Sequence, residues 1–269
     1  MQPDAIAFLG GGNMATALIG GLLRSGQPAQ SITVVEPLAE QRARLEQRFG
    51  VRTLAAADAT LGAAALLVWA VKPQVFAAAA AACGAHAAGA LHLSVMAGIR
   101  CDAIARASGA ARIVRSMPNT PALIGHGIAG LYATPAVGAA ERARVDALLA
   151  PTGRTLWVEQ EADLDAVTAL SGSGPAYVFY FLEAMLEAAQ QMGLSPEQGR
   201  ALALGTFAGA TELARQAEEP VALLRERVTS KGGTTHAALA ALEADGVKAA
   251  IVRAIRLAEQ RARELAAGG

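Results

Sequence analysis

The stretch AIAFLGGGNMA, residues 5–15, decides how the first half of this chain folds. A short apolar run of strand character enters three consecutive glycines, and the chain then continues as a helical segment over 14–24. The spacing Gly10-x-Gly12-x-x-Ala15 between a strand and a helix suits a dinucleotide. Gly10 permits the tight turn, Gly12 lets a pyrophosphate rest on the backbone, and Ala15 lets the helix pack closely. A bare glycine turn would need neither that strand and helix nor an acid, Glu36, at the end of the next strand.

Working outward, short apolar runs at 31–35, 65–71, 90–95, 112–116, 128–133 and 155–158 alternate with helical stretches such as 38–49. That alternation predicts a parallel sheet wound on both faces. Beyond about residue 160 the strand-like pattern stops. Long alanine- and leucine-rich segments follow, broken by SGSGP (171–175), by 193–196 and by SKGG (230–233), and they read as helices. The expected architecture is therefore α/β: a dinucleotide-binding domain over 1–160 with a doubly wound parallel sheet, then an all-helical domain over 161–269. No linker rich in proline, glycine or serine separates them, so the two parts are expected to share a helix.

Composition excludes several classes of function. The 269 residues, 53% of them hydrophobic, can bury a sizeable core. Lysine plus arginine equals aspartate plus glutamate at 23 each, which leaves no field to gather nucleic acid or an anionic membrane surface. Two cysteines, Cys83 and Cys101, form no disulfide framework, and no Cys/His cluster has metal-ligand spacing, so no metal is expected. The amino-terminal run lacks a basic leader segment, and a reducing cytoplasm is the expected compartment.

Ligands of open parallel sheets bind beyond the carboxyl ends of the strands. Three further turns fall there: AVKP (Ala70, Val71, Lys72, Pro73), SVMAG (94–98) and MPNTP (117–121), which contains Asn119. Their prolines can simply end strands, while a lysine and an amide beside them suit ribose, phosphate or nicotinamide. Glu36 can accept hydrogen bonds from an adenosine ribose and would repel a 2'-phosphate, which argues for NADH. Arg42 and Arg44 lie one to two turns further on, where they can either reach a phosphate or form an ordinary charged helix face.

The second informative stretch is VTSKGGTTHAALAALE, residues 228–243. Two glycines and four hydroxyl residues open onto a helix. Unpaired N–H groups at a helix start carry partial positive charge, and Gly232 and Gly233 let a ligand approach them, so a small carboxylate fits. A plain helix cap needs only one hydroxyl residue and one glycine.

The stretches LGGGNMA, AVKP, SVMAG, MPNTP, LSGSGPAY and TSKGGTTHAALAALE, in this order and spacing, resemble the pyrroline-5-carboxylate reductase family over essentially the whole chain. The resemblance implies NAD(P)H-dependent reduction of 1-pyrroline-5-carboxylate to L-proline, the last step of proline synthesis. It also implies an N-terminal Rossmann domain and a C-terminal helical domain that interlocks with a second subunit, giving dimers and rings of dimers. On this likeness Leu9, Gly10, Gly11, Gly12, Asn13 and Met14 would hold the pyrophosphate. Ala70, Val71, Lys72 and Pro73 would border ribose and nicotinamide together with Met96, Ala97 and Gly98. Ser230, Gly232, Gly233 and Thr234 would take the carboxylate of a cyclic imino acid, Thr235 would face its ring nitrogen, and Glu161 would touch the same ligand. Many family members carry proline where Lys231 stands, and many have small or polar residues at Glu36, against the usual preference for NADPH.

Hydride chemistry belongs to the coenzyme, so the protein must mainly orient the imine, and a hydroxyl such as that of Thr235 can hold or relay a proton. The alternative for Thr235 is capping. Of His86, His92, His126 and His236 only the last adjoins this loop, and it is expected on a solvent-facing helix surface. Trp69 and Trp157 are expected in the core. The row Tyr177, Phe179, Tyr180, Phe181 is expected at a helix interface. A 3-hydroxyacid dehydrogenase would need an interdomain lysine, yet Lys72, Lys231 and Lys248 are the only lysines. A reductase of another cyclic imine, or a non-catalytic dinucleotide-sensing dimer, remains as an alternative.

Overall fold

The computed structural model describes residues 4–83, 86 and 88–267. Residues 1–3, at the start of the amino-terminal run, and 268–269 lie outside it. Among the described residues eight strands form one sheet in the order β3-β2-β1-β4-β5-β6-β7-β8. They are β1 (Ile6–Leu9), β2 (Ile32–Val35), β3 (Arg52–Leu54), β4 (Leu66–Trp69), β5 (Leu91–Ser94), β6 (Ile113–Met117), β7 (Gly127–Ala133) and β8 (Gly153–Trp157). Strand order reverses between β1 and β4, which places the switch point of the sheet beside the glycine loop.

The burial pattern follows from this layering. β1, β4 and β5 are buried at every position because helices cover both faces, and their sequences are unbroken apolar runs apart from His92 and Ser94. One face packs on α1 (Asn13–Arg24), α2 (Ala39–Phe49) and α5 (Ala139–Leu149) through Leu18, Ile19, Leu45 and Leu148. The other packs on α3 (Phe76–Cys83) and α4 (Cys101–Ser108) through Phe76, Cys83 and Ile104. Buried Trp69 donates from Nε1 to Nδ1 of buried His92 at 3.0 Å, so its polar atom is satisfied within the core.

The sheet differs from expectation in two places. β3 did not announce itself, because it has three residues, begins on exposed Arg52 and ends the sheet. β7 pairs with β6 antiparallel. Only residues 118–126 join the two, with a 3-10 turn over Thr120–Ile124, and a parallel return needs a crossover of a dozen or more residues. The next connection contains α5, and β8 accordingly pairs parallel with β7. Trp157 is only half-buried. Its Nε1 donates to the Asp146 carboxylate at 3.0 and 3.1 Å, and the Arg142 guanidinium stacks 4.8 Å from its ring centroid.

Two compact units are present: residues 4–173 with 258–267, and Gly174–Leu257. The chain passes from one to the other inside a helical run, α6 (Asp163–Val167), a π-turn over Thr168–Gly172 and α7 (Gly174–Gln191). The second unit continues with α8 (Pro196–Gln216), α9 (Val221–Arg227) and α10 (Thr234–Ala244), and α11 (Val247–Ala267) ends the chain. A capping box starts α8: Ser195 Oγ accepts from Gln198 N–H, and Gln198 Oε1 accepts from Ser195 N–H. α7 and α8 approach closely where a Cβ on Gly199 would lie 2.9 Å from that of Ala189. Ala189 thus serves contact within the chain, whereas Ala184 and Ala188 are exposed. Among the described residues no helix is long and apolar enough to cross a membrane.

Candidate active site

The glycine loop is set by backbone bonds to both neighbouring strands. Gly10 N–H donates to Val35 O at 2.8 Å, and Ala70 N–H donates to Leu9 O at 2.8 Å. Gly10 has φ +94°, and a Cβ there would sit 2.7 Å from Ala70 O. Gly12 caps α1 with an extended backbone, no side-chain cap bond and no acid in the first turn. Nothing lies within 4 Å of where its Cβ would be. The first N–H groups of α1 therefore stay available to an anion at the exposed Gly12–Asn13 corner.

Glu36 lies beneath this loop, 8% exposed. Its Oε2 accepts from Gly11 N–H at 2.9 Å and its Oε1 from Leu38 N–H at 3.0 Å. Gln41 Nε2 donates to Gly11 O at 2.5 Å, so both faces of the Gly11 peptide are held. The sequence marks Glu36 as a ribose acceptor but carries no sign of this second task, which depends on a contact 25 residues back along the chain. Each carboxylate oxygen keeps acceptor capacity beyond its one bond. Arg42 donates to the carbonyls of Glu36 and Pro37 at 2.8 Å each, and Arg44 pairs with exposed Glu40. Of the two alternatives, Arg44 takes the ordinary charged helix face, and Arg42 braces the turn.

The other turns follow β4, β5 and β6, which are neighbouring parallel strands, so all of them open on the same edge as the glycine loop. Exposed Lys72 precedes a 3-10 turn begun by Pro73, and Ala70 and Val71 are half-buried. After β5, Ser94 Oγ accepts from Met96 N–H at 3.3 Å, Ala97 is exposed and Gly98 adopts φ +75°. A Cβ on Gly98 would lie 3.7 Å from the Leu265 carbonyl, so the end of α11 packs on this turn. Asn119 Oδ1 accepts from Ile128 N–H at 3.0 Å, which leaves its amide nitrogen for a ligand.

Glu161, expected to touch the ligand, is held within the chain by a network of its own. Its Oε1 accepts from Cys101 N–H at 2.7 Å and from Arg115 Nη1 at 2.8 Å. Arg100 donates to Glu161 O at 3.2 Å and pairs with buried Asp165 at 2.6 Å. The signal for this network in the sequence is Arg115, a charge inside a buried strand, which needs a counter-ion. Burial and, next, Glu161 push the Cys101 thiol well above its usual range, and burial raises that of Cys83 to about 11. Both thiols are free and buried, a setting that disfavours the nucleophilic thiolate.

In the second unit, Gly232 has φ +74° and Gly233 caps α10 with no side-chain cap bond and no acid in the first turn. Gly233 N–H donates to Ser230 O at 3.0 Å, and a Cβ on Gly233 would meet Ser230 Oγ at 2.6 Å. The N–H groups of Thr234 and Thr235 at the start of α10 thus have no intrahelical partner. Since Gly233 holds the cap position, the hydroxyl of half-buried Thr235 is not spent on capping. Ser230, Lys231 and Thr234 are exposed, as is His236, which lines a small recess with Arg225, Thr229 and Glu243.

The chain is 43% identical over 271 residues to the pyrroline-5-carboxylate reductase of Pseudomonas aeruginosa, a match covering 99% of this chain and 98% of that protein. The chain belongs to the pyrroline-5-carboxylate reductase family. Residues 161–265 match the pyrroline-5-carboxylate reductase dimerisation family. Residues 5–98 match the family described as NADP oxidoreductase coenzyme F420-dependent. Among solved structures, the pyrroline-5-carboxylate reductase of Coxiella burnetii superposes with a TM-score of 0.88 at 34% identity, covering 98% of this chain and 99% of that one. The Plasmodium falciparum pyrroline carboxylate reductase, solved with NADP bound, gives a TM-score of 0.88 at 25% identity and 99% coverage of both chains. As in those reductases, a mostly parallel sheet is followed by helices, so the expected fold class stands.

Proposed function

We propose that this chain reduces 1-pyrroline-5-carboxylate to L-proline with NAD(P)H, as the last step of proline biosynthesis in the cytoplasm. The end-to-end similarity to the Pseudomonas reductase carries this reading, and the starts of α1 and α10, each with a glycine cap, no side-chain cap bond and no acid in the first turn, support it. NAD(P)H supplies the hydride when bound. Residues 9–14 hold its pyrophosphate on the α1 N-terminus, where the open space at Gly12 suits close approach. Residues 70–73 and 96–98 with Asn119 border the ribose and nicotinamide. In the helical half, Ser230, Gly232, Gly233 and Thr234 take the substrate carboxylate. The hydroxyl of Thr235 orients the ring nitrogen and holds the proton that this nitrogen gains as its neighbouring carbon accepts hydride. Residues 1–160 act as the dinucleotide domain and 161–269 as the substrate and dimerisation domain, of which 161–173 and 258–267 belong to the same compact unit as the sheet.

Coenzyme consumption should require pyrroline-5-carboxylate. Binding of NAD(P)H without turnover in folded, oligomeric protein would leave the sensing dimer instead. NADH should serve at least as well as NADPH, because the Glu36 carboxylate sits against the glycine loop. Glu36→Ser should shift the kcat/KM ratio toward NADPH and weaken both coenzymes through loss of the bond to Gly11. A strong wild-type preference for NADPH that the substitution leaves unchanged would remove Glu36 from coenzyme selection.

The active form is a homo-oligomer, a dimer or a ring of dimers. Phe179 is 58% and Tyr180 73% exposed on α7, and a groove of about 350 Å³ between α7 and α11 is lined by Tyr177, Phe181, Ile251 and Ile255. An apolar surface of this kind asks for cover. Light scattering should give at least a dimer throughout a dilution series down to micromolar protein, and a fully active monomer would defeat the model.

A further inference from the structure

We infer that Glu161 is a positioning residue that locks two coenzyme-side turns together and does not touch the substrate. This rests on the assignment of those turns to NAD(P)H above. One carboxylate oxygen, Oε1, receives both the first N–H of α4, from Cys101, and the guanidinium of Arg115 on β6. Cys101 lies three residues beyond Gly98, and Arg115 lies four residues before Asn119. A shift of this carboxylate therefore moves the turn after β5 and the turn after β6 together. The Arg115 side chain is only 5% exposed and that of Glu161 22%, so water cannot readily replace the acid as the partner of the arginine. The backbone of Glu161 is fixed in turn, since Arg100 spans from its carbonyl to the Asp165 carboxylate. Arg100 also directly follows Ile99 at the end of the same turn, so both donors to Glu161 Oε1 and the arginine on its carbonyl adjoin the turns after β5 and β6. A carboxylate so engaged has a distinct kinetic signature: its loss should disturb coenzyme binding first.

The test compares Glu161→Ala, Glu161→Gln and the pair Glu161→Gln with Arg115→Met. NAD(P)H dissociation constants come from nicotinamide fluorescence, and Michaelis constants for each substrate from initial rates. Glu161→Ala should weaken coenzyme binding by about 10- to 100-fold, the scale on which misplaced binding groups act, while the Michaelis constant for pyrroline-5-carboxylate changes less than about twofold on the same scale. Glu161→Gln keeps an acceptor for Cys101 N–H and should fall between. The double variant removes the buried unpaired charge and should melt above Glu161→Gln alone, which keeps the comparison readable if the alanine variant does not fold. A raised constant for pyrroline-5-carboxylate with unchanged coenzyme affinity would overturn the inference and make Glu161 a substrate ligand. Wild-type values for both ligands would overturn it as well. Because the fluorescence titration needs no turnover, failure of the reductase reading would leave this result separately legible.

Discussion

Gly10→Ala is expected to lower NAD(P)H affinity by about 100-fold or more and to lower the melting temperature with it. At φ +94° an L side chain is already strained, at a cost of about 1–2 kcal/mol. The added Cβ would then lie 2.7 Å from Ala70 O, 2.9 Å from Ala70 C and 3.0 Å from Val71 N. All three are backbone atoms, and backbone cannot swing aside as the tip of a side chain can. Either the glycine loop lifts away from β4, or the turn carrying Val71 and Lys72 is pushed outward, and both border the proposed coenzyme crevice. Gly12→Ala supplies the contrast. Gly12 has ordinary φ and empty space around its Cβ position, so this variant should melt with wild type and lose only coenzyme binding, because its methyl group fills the place proposed for the pyrophosphate. Calorimetry and fluorescence titration of the two variants separate the effects. Normal coenzyme affinity in both would show that this loop is not the pyrophosphate site.

Thr235→Ala should slow turnover by about 10- to 1,000-fold, bounded above by what a well-placed oxyanion donor contributes. NAD(P)H affinity and melting temperature should barely move. The structural reason is that Gly233, not a threonine, caps α10, and the helix starts with no side-chain cap bond. Removing the Thr235 hydroxyl therefore costs the helix no cap, and an alanine at its second position is a good helix former. Single-turnover rates at saturating coenzyme, set beside thermal melts, decide the matter. Parallel loss of stability and coenzyme binding would mark the residue as structural.

The parts of this molecule that sequence made legible are those whose determinants are local. The β1–Gly10–α1 unit declares itself within a dozen residues, and the loop 228–235 does so through its density of glycine and hydroxyl groups. The central strands are mostly apolar, and their alternation with helical stretches already implies parallel pairing. What stayed hidden depends on partners far apart in the chain. Glu161 meets Cys101 across 60 residues and Arg115 across 46, and no periodicity records such a meeting. Glu36 stands out in the sequence as an acid at the end of β2, yet its bond to Gly11 is visible only once β1 and β2 lie side by side. The reversal at β7 was legible in principle from the shortness of the 118–126 connection. It was obscured because Ile128 to Ala133 has the same apolar character as its parallel neighbours.

The division of α11 bears on how this protein can be re-engineered. Its first half, up to Leu257, counts with the helical unit, while residues 258–267 count with the sheet, where Ala262 and Ala266 are buried and the Leu265 carbonyl abuts Gly98. The compact unit 174–257 thus joins the sheet unit at two seams. A chimera that exchanges everything beyond a single splice near residue 160 would also discard the native tail that packs on the turn after β5. A graft joined at 173/174 and again at 257/258 keeps that tail with the sheet it belongs to, and an affinity tag fused at the carboxyl end would hang from the element seated on the Gly98 turn.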